Sequence, residues 1–192
     1  ALNNTAEFLT RAGIRPDVQI IVDPRAGNIA FLNQQWADEL LLASQCHADL
    51  FSRAKSLGYP VRLYHTADPA VRDAVRNPNA CYIGGGITVG LTALCLLHAL
   101  GHSDLYLFGY DSSHAAGSSH AYAQPMNAGD EMVRCVVDSE VFDCSLGMAG
   151  QAHEFRPIAD MLKSWGTALH VYGDFFEGPF YFNRNKLCAA FF

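Results

Sequence analysis

Three successive glycines, Gly84-Gly85-Gly86, run into Ile87-Thr88-Val89-Gly90 and form the most chemically suggestive stretch of this sequence. Inside a helix or strand each glycine would cost up to about 1 kcal/mol relative to alanine, so the run reads as a turn. A turn that opens a helix at Thr88 presents backbone N–H groups, and those donors together with the helix dipole suit a phosphate or a carboxylate. A tight strand-to-helix connection with no ligand is an equal reading of the glycines alone. No Gly-Lys-Ser or Gly-Lys-Thr is present, which excludes a P-loop, and the spacing also misses the dinucleotide fingerprint G-x-G-x-x-G.

The acids and bases that can join such a turn are few. Asp111 follows an apolar run on a Gly-Tyr-Asp turn; an acid there can hold Mg²⁺, bind a ribose hydroxyl, act as a base, or simply close an Asx turn or cap a helix. His114 and His120 lie just after it in a stretch rich in Ser, Ala and Gly, each a candidate base or phosphate donor. Asp23 and Arg25 flank a proline; they form either a structural ion pair, with Asp111 as an alternative acid for Arg25, or a clamp on phosphate or carboxylate. Cys46 beside His47 suggests a thiolate nucleophile, but neighbouring side chains on an extended segment point apart, and a Cys–His enzyme is rejected. His98 falls on the Leu91 and Leu94 face of a helix and reads as packing.

The elements that must position these residues alternate between strand and helix. Asn4 and Glu7 have the spacing of a capping box, with Gly13 as the helix stop. Strands are expected at Val18 to Val22, Glu39 to Ala43, Val61 to Tyr64, Cys81 to Ile83, Asp104 to Phe108 and Ala168 to Tyr172. Helices are expected over Leu50 to Leu57, Ile87 to Leu100 and Phe155 to Trp165. Met132 to Val137 and Val141 to Cys144 suggest a hairpin. Residues 112–130 read as a long loop, a length usually kept for lids and binding loops, and the aromatic stretch after Phe175 has no clear period.

Strand, helix and strand joined by short turns make parallel crossovers. The fold expected is therefore α/β: a Rossmann-like, doubly wound, mainly parallel sheet with helices on both faces and a small β-hairpin near residues 131–146, in one domain over residues 1–192. Ligands of such sheets bind outside the carboxyl ends of the strands. That edge receives Asn3 and Asn4, Asp23 and Arg25, Ser44 to His47, His65 and Thr66, Gly84 to Gly86, Tyr110 with Asp111 and Ser112, and Gly173 with Asp174. Only Ala1 and Leu2 precede the first helix, so the chain reads as lacking part of its first strand or upstream residues.

Composition narrows the partners. With 192 residues, half of them hydrophobic, there is material for one core. A net charge of -6 and only 13 Lys plus Arg, without a basic cluster, argue against nucleic acid. The longest apolar stretch, Ile87 to Leu100, is interrupted and too short for a bilayer, so no membrane partner is expected. Six cysteines without a C-x-x-C pair read as a reducing, cytoplasmic compartment.

The runs Gly84-Gly85-Gly86-Ile87-Thr88-Val89-Gly90-Leu91-Thr92-Ala93-Leu94 and Leu105-Tyr106-Leu107-Phe108-Gly109-Tyr110-Asp111-Ser112-Ser113 together resemble the central motif of the 6-hydroxymethylpterin diphosphokinase MptE-like family. Gly13-Ile14-Arg15-Pro16-Asp17, Asp23-Pro24-Arg25, Ser44-Gln45-Cys46-His47, His120-Ala121-Tyr122-Ala123-Gln124-Pro125 and Gly173-Asp174 extend the likeness over most of the chain. The resemblance implies a Rossmann-like domain that moves diphosphate from ATP to an alcohol with Mg²⁺. It also implies kinship with flagellar accessory domains linked to nonulosonic-acid glycosylation and with a sialyltransferase fold. Asn3-Asn4 stands where that family usually carries glycine, which departs from its nucleotide contacts near the N-terminus.

Three functions follow as expectations. In the first, a nucleotide-dependent diphosphokinase-like transferase, Gly84, Gly85, Gly86 and Thr88 cradle phosphates with Ser44 and Gln45 at the same edge. Asp111 and Asp23 hold Mg²⁺, while Arg25 and His120 steady charge. In the second, a glycosyltransferase uses a CMP-activated acidic sugar, with His114 or His120 as base or acid and Asp23 on the nucleotide. The third is a non-catalytic nucleotide- or sugar-binding module. The partners expected are a nucleotide and a small acceptor, with a homo-oligomer or a larger parent protein as further associations.

Overall fold

The computed structural model of the chain describes residues 1–110, 112, 129–137 and 140–172. Two compact units divide the chain, Ala1–Gly85 and Gly86–Phe192, so the boundary falls inside the glycine run.

The first unit is a parallel four-stranded sheet of β1 (Val18–Ile21), β2 (Glu39–Ala43), β3 (Val61–Thr66) and β4 (Tyr82–Ile83), in the spatial order of the sequence. Short β-branched and leucine-rich runs form its centre: Ile20, Ile21 and Leu40 through Ala43 are buried, as strands covered on both sides require. The start of the chain meets β1 in a single parallel bridge, with Leu2 opposite Ile20. A 3-10 turn over Ala26–Leu32 joins β1 to β2, and buried Gln19 donates to the carbonyls of Asn3 and Phe31 at 2.8 and 3.3 Å.

Helix α1 (Thr5–Arg11) precedes β1, but the capping box expected at its start does not form. Asn4 is itself helical and makes no side-chain cap, and Glu7 pairs one turn on with Arg11 at 2.7 Å. Helix α2 (Ala48–Ser56) follows β2 and ends before Gly58, whose φ of +73° is the left-handed stop the sequence suggested. Helix α3 (Pro69–Val75) follows β3; Asp68 caps it by accepting from the Ala70 amide, and Pro69 occupies its first turn. The four strands of this sheet lie side by side in the order of the sequence, as parallel crossovers between neighbours produce.

The second unit contains α4 (Val89–Ala99), the parallel pair β5 (Asp104–Phe108) and β8 (Ala168–Tyr172), the antiparallel hairpin β6 (Met132–Val137) with β7 (Glu140–Ser145), and α5 (Leu146–Ser164). The hairpin stands where the sequence placed it. Helix α4 is buried continuously from Gly90 to Leu96, so it is a core helix with no solvent stripe. Helix α5 is nineteen residues long, two turns longer at its start than expected, and is capped by Ser145 accepting from the Met148 amide. Its first turns carry Ala152 against Phe142 and Cys144 of the hairpin, and Phe155, Ala159 and Leu162 complete its buried face. No helix among the described residues is long and apolar enough to cross a membrane.

Candidate functional site

At the carboxyl edge of the first unit the polar residues pair off. One residue beyond the Ala43–Tyr64 register pair, His65 Nδ1 lies 2.8 Å from Ser44 Oγ. Next to them Thr66 Oγ1 donates to Gln45 Oε1. Asp23 accepts from Arg25 with both oxygens: the Arg25 amide reaches Oδ1 at 2.8 Å and Nε reaches Oδ2 at 2.6 Å. Burial pushes the Asp23 carboxyl up, but the Arg25 side chain, amide and charge, with Asn28, outweigh it and hold the carboxyl below its ordinary value. The Cys46 thiol, buried and near the Asp23 charge, is pushed up to about 12, and His47 serves as the cap of α2.

In the second unit, the start of α4 is held by α5. Thr88 caps α4 by accepting from the Leu91 amide at 3.3 Å, and its own hydroxyl donates to Gln151 Oε1 at 2.7 Å. Gln151 Nε2 in turn donates to Ser112 Oγ at 2.8 Å. One side chain thereby bridges the helix that follows the glycine run and the residue that follows Asp111. One turn along α5, Glu154 Oε2 accepts from the Ile87 amide at 2.8 Å. The donor that the sequence offered to a phosphate is engaged by a carboxylate of the chain itself.

The glycines there have a different use from the one expected. Gly84 and Gly86 do not adopt positive φ. A Cβ on Gly86 would run into the Glu154 carboxylate and lie 2.5 Å from Leu91 Cδ1, whereas one on Gly84 would meet nothing within 4 Å. Gly90 is closed by Tyr110, whose Cζ would lie 2.7 Å from a Cβ, and Gly150 of α5 is closed by Ile87. Gly86, Gly90 and Gly150 therefore let α4, α5 and Tyr110 approach one another.

Of the residues proposed from sequence, Asp23, Arg25, Ser44, Gln45, Gly84 and Gly85 belong to the first unit, and Gly86 and Thr88 to the second. Asp111, His114, His120, Gly173 and Asp174 lie outside the described residues. His98, read as packing, donates or accepts at Thr167 Oγ1 at 2.7 Å and lies against Trp165. Sequence reasoning missed Gln151 and Glu154, and it placed His65 and Ser112 at the carboxyl edge without assigning them a role. The three-residue spacing of Gln151 and Glu154 puts both on one helix face, a signal that is legible only once α5 is known to begin at Leu146.

Among the described residues no group of three or more His, Cys, Asp or Glu is placed to hold a metal ion. Asp23, with both oxygens engaged by Arg25, does not by itself fit Mg²⁺. No family model, no curated protein and no solved structure matches the chain.

Proposed function

We propose that the chain is a nucleotide-dependent transferase on a Rossmann-like, doubly wound domain, moving diphosphate from ATP to a small alcohol acceptor. The observation that carries this reading is the Gln151 bridge. It ties Thr88, at the start of the helix after Gly84 to Gly86, to Ser112, the neighbour of the expected catalytic Asp111. Phosphoryl-type transfer needs positioned dipoles and charge neutralisation more than a nucleophile on the protein, and amides, hydroxyls and an arginine can supply both. In this reading Gly84, Gly85, Gly86 and Thr88 meet phosphates and His120 steadies charge. The described residues do not build the Mg²⁺ site that the family resemblance implies, so no step is routed through the ion.

The engaged state of Asp23 favours the second reading, in which a CMP-activated acidic sugar is the donor and His114 or His120 exchanges the proton. A carboxylate already neutralised by Arg25 suits a nucleotide hydroxyl better than a metal. Thermal shift with ATP and with CMP separates the two, since ligand at about a hundred times its dissociation constant adds roughly 2.7 kcal/mol. Stabilisation by ATP and release of AMP in the presence of Mg²⁺ and a hydroxymethylpterin support diphosphate transfer. Stabilisation by CMP alone replaces it with the glycosyl reading, and binding without turnover leaves the non-catalytic module.

A further inference from the structure

One face of the β5–β8 pair carries four rings, with Asp104 at its start 3.6 Å from His170 Nε2. Tyr106 and His170, opposite each other in the parallel register, stack at 4.5 Å with 13° between planes, and the next pair, Phe108 and Tyr172, stacks at 4.8 Å and 11°. Tyr106 also stacks diagonally on Tyr172 at 6.3 Å. On the opposite face Leu105 and Leu107 are buried, yet Tyr106 is 58% and Phe108 72% exposed. Parallel strands occur almost only with both faces covered, and exposed stacked aromatic rings of this kind mark a contact surface.

We propose that this aromatic face is the docking surface for residues 175–192 of the same chain. The segment begins three residues beyond Tyr172, at the end of the strand that supplies two of the four rings, and it carries Phe175-Phe176 and Phe180-Tyr181-Phe182. Phe180 and Phe182 have the same two-residue spacing in sequence as Tyr106 and Phe108. The face spans five residues, about 17 Å at roughly 3.4 Å each, well within the reach of the chain that follows. Attachment at Tyr172 makes docking intramolecular, with an effective concentration on the order of millimolar for a short linker, which outcompetes a second copy at ordinary concentrations.

Phe108→p-benzoylphenylalanine in the full chain, irradiated and mapped by mass spectrometry, reads the occupant directly. Cross-links into residues 175–192, with a yield independent of protein concentration, are expected. Cross-links between heavy- and light-labelled copies, cross-links mainly into residues 1–85, or none at all overturn the proposal. In a second measurement, a chain ended at Asp174 is expected to gain binding of an apolar-surface dye, and a peptide of residues 175–192 added in trans is expected to reverse it. An unchanged dye signal in a folded truncated chain, shown by far-ultraviolet circular dichroism, counts against docking. If truncation unfolds the chain, the cross-linking result decides.

Discussion

The two glycine- and hydroxyl-bearing regions solve the problem of a polar strand end differently. At the ends of β2 and β3, Ser44 with His65 and Gln45 with Thr66 satisfy each other across neighbouring strands, and Asp23 closes on Arg25 two residues away. At the start of α4, the partners come from a helix more than sixty residues later, as Gln151 takes the Thr88 hydroxyl and Glu154 the Ile87 amide. The first arrangement joins neighbouring strand ends and residues two apart. The second welds a turn to a distant helix, and a ligand there must either use the amides of Gly84 to Gly86 or displace Glu154.

The largest effect that tests the weld is expected from Gly90→Ala. The new methyl would meet the buried Tyr110 ring, and such overpacking costs about 1–3 kcal/mol. Equilibrium denaturation of the variant measures it. A change under about 0.5 kcal/mol would mean that Tyr110 moves freely and that the close approach is not part of what holds α4.

Glu154 comes next. Glu154→Ala leaves the Ile87 amide without its acceptor and is expected to cost about 1–2 kcal/mol, while Glu154→Gln keeps an acceptor and costs less. The glutamine variant also removes a negative charge from beside the Ile87 amide. If phosphates use the same donor, its affinity for ATP by titration calorimetry should rise at least about tenfold, roughly 1.4 kcal/mol. Unchanged affinity assigns the weld to the fold alone.

How far these regions could be read in advance follows from where their signals lie. β2 and β5 were legible to the residue because an apolar β-prone run bounded by turn formers is a local signal. Helix α3 was not foreseen, although Asp68-Pro69 is a good start signal, because it buries no side chain and so shows no apolar period. The first turns of α5 were missed for a different reason: Gly147 and Gly150 interrupt the pattern, and Pro157 sits inside the helix, so only the part after Phe155 looked periodic. Gln151 and Glu154 disappeared with those turns. The edge residues Ser44, Gln45, His65 and Thr66 were found by counting to the ends of strands, but their pairing depends on register, which single strands do not carry.

A smaller effect belongs to the local arrangement. Asp23, held below its ordinary value, contributes stability that is complete above an unfolded value of about 3.9 and is lost as pH falls through the lower folded value. Its Arg25 partner is 56% exposed, so screening keeps the contribution within about 1 kcal/mol. Unfolding midpoints of the parent chain and Asp23→Asn, compared from about pH 6 to pH 2, should differ at the upper end and converge at the lower. Parallel curves would show that the pair adds nothing to folding and leave Asp23 to a ligand.

The smallest effect discriminates most cleanly between the two uses of glycine. Gly84→Ala places a methyl where nothing lies within 4 Å, at a residue without positive φ, and stability is expected to stay within about 0.5 kcal/mol. Unlike Gly86, Gly84 has no contact that requires a hydrogen in place of a side chain. A substitution this mild to the fold can still crowd a phosphate that approaches the backbone closely, the reason glycine lines such turns. Loss of ATP binding in Gly84→Ala at unchanged stability would therefore assign Gly84 to the ligand and Gly86 to the weld. Binding and stability both unchanged would exclude Gly84 from any phosphate contact and leave the run as a plain strand-to-helix connection.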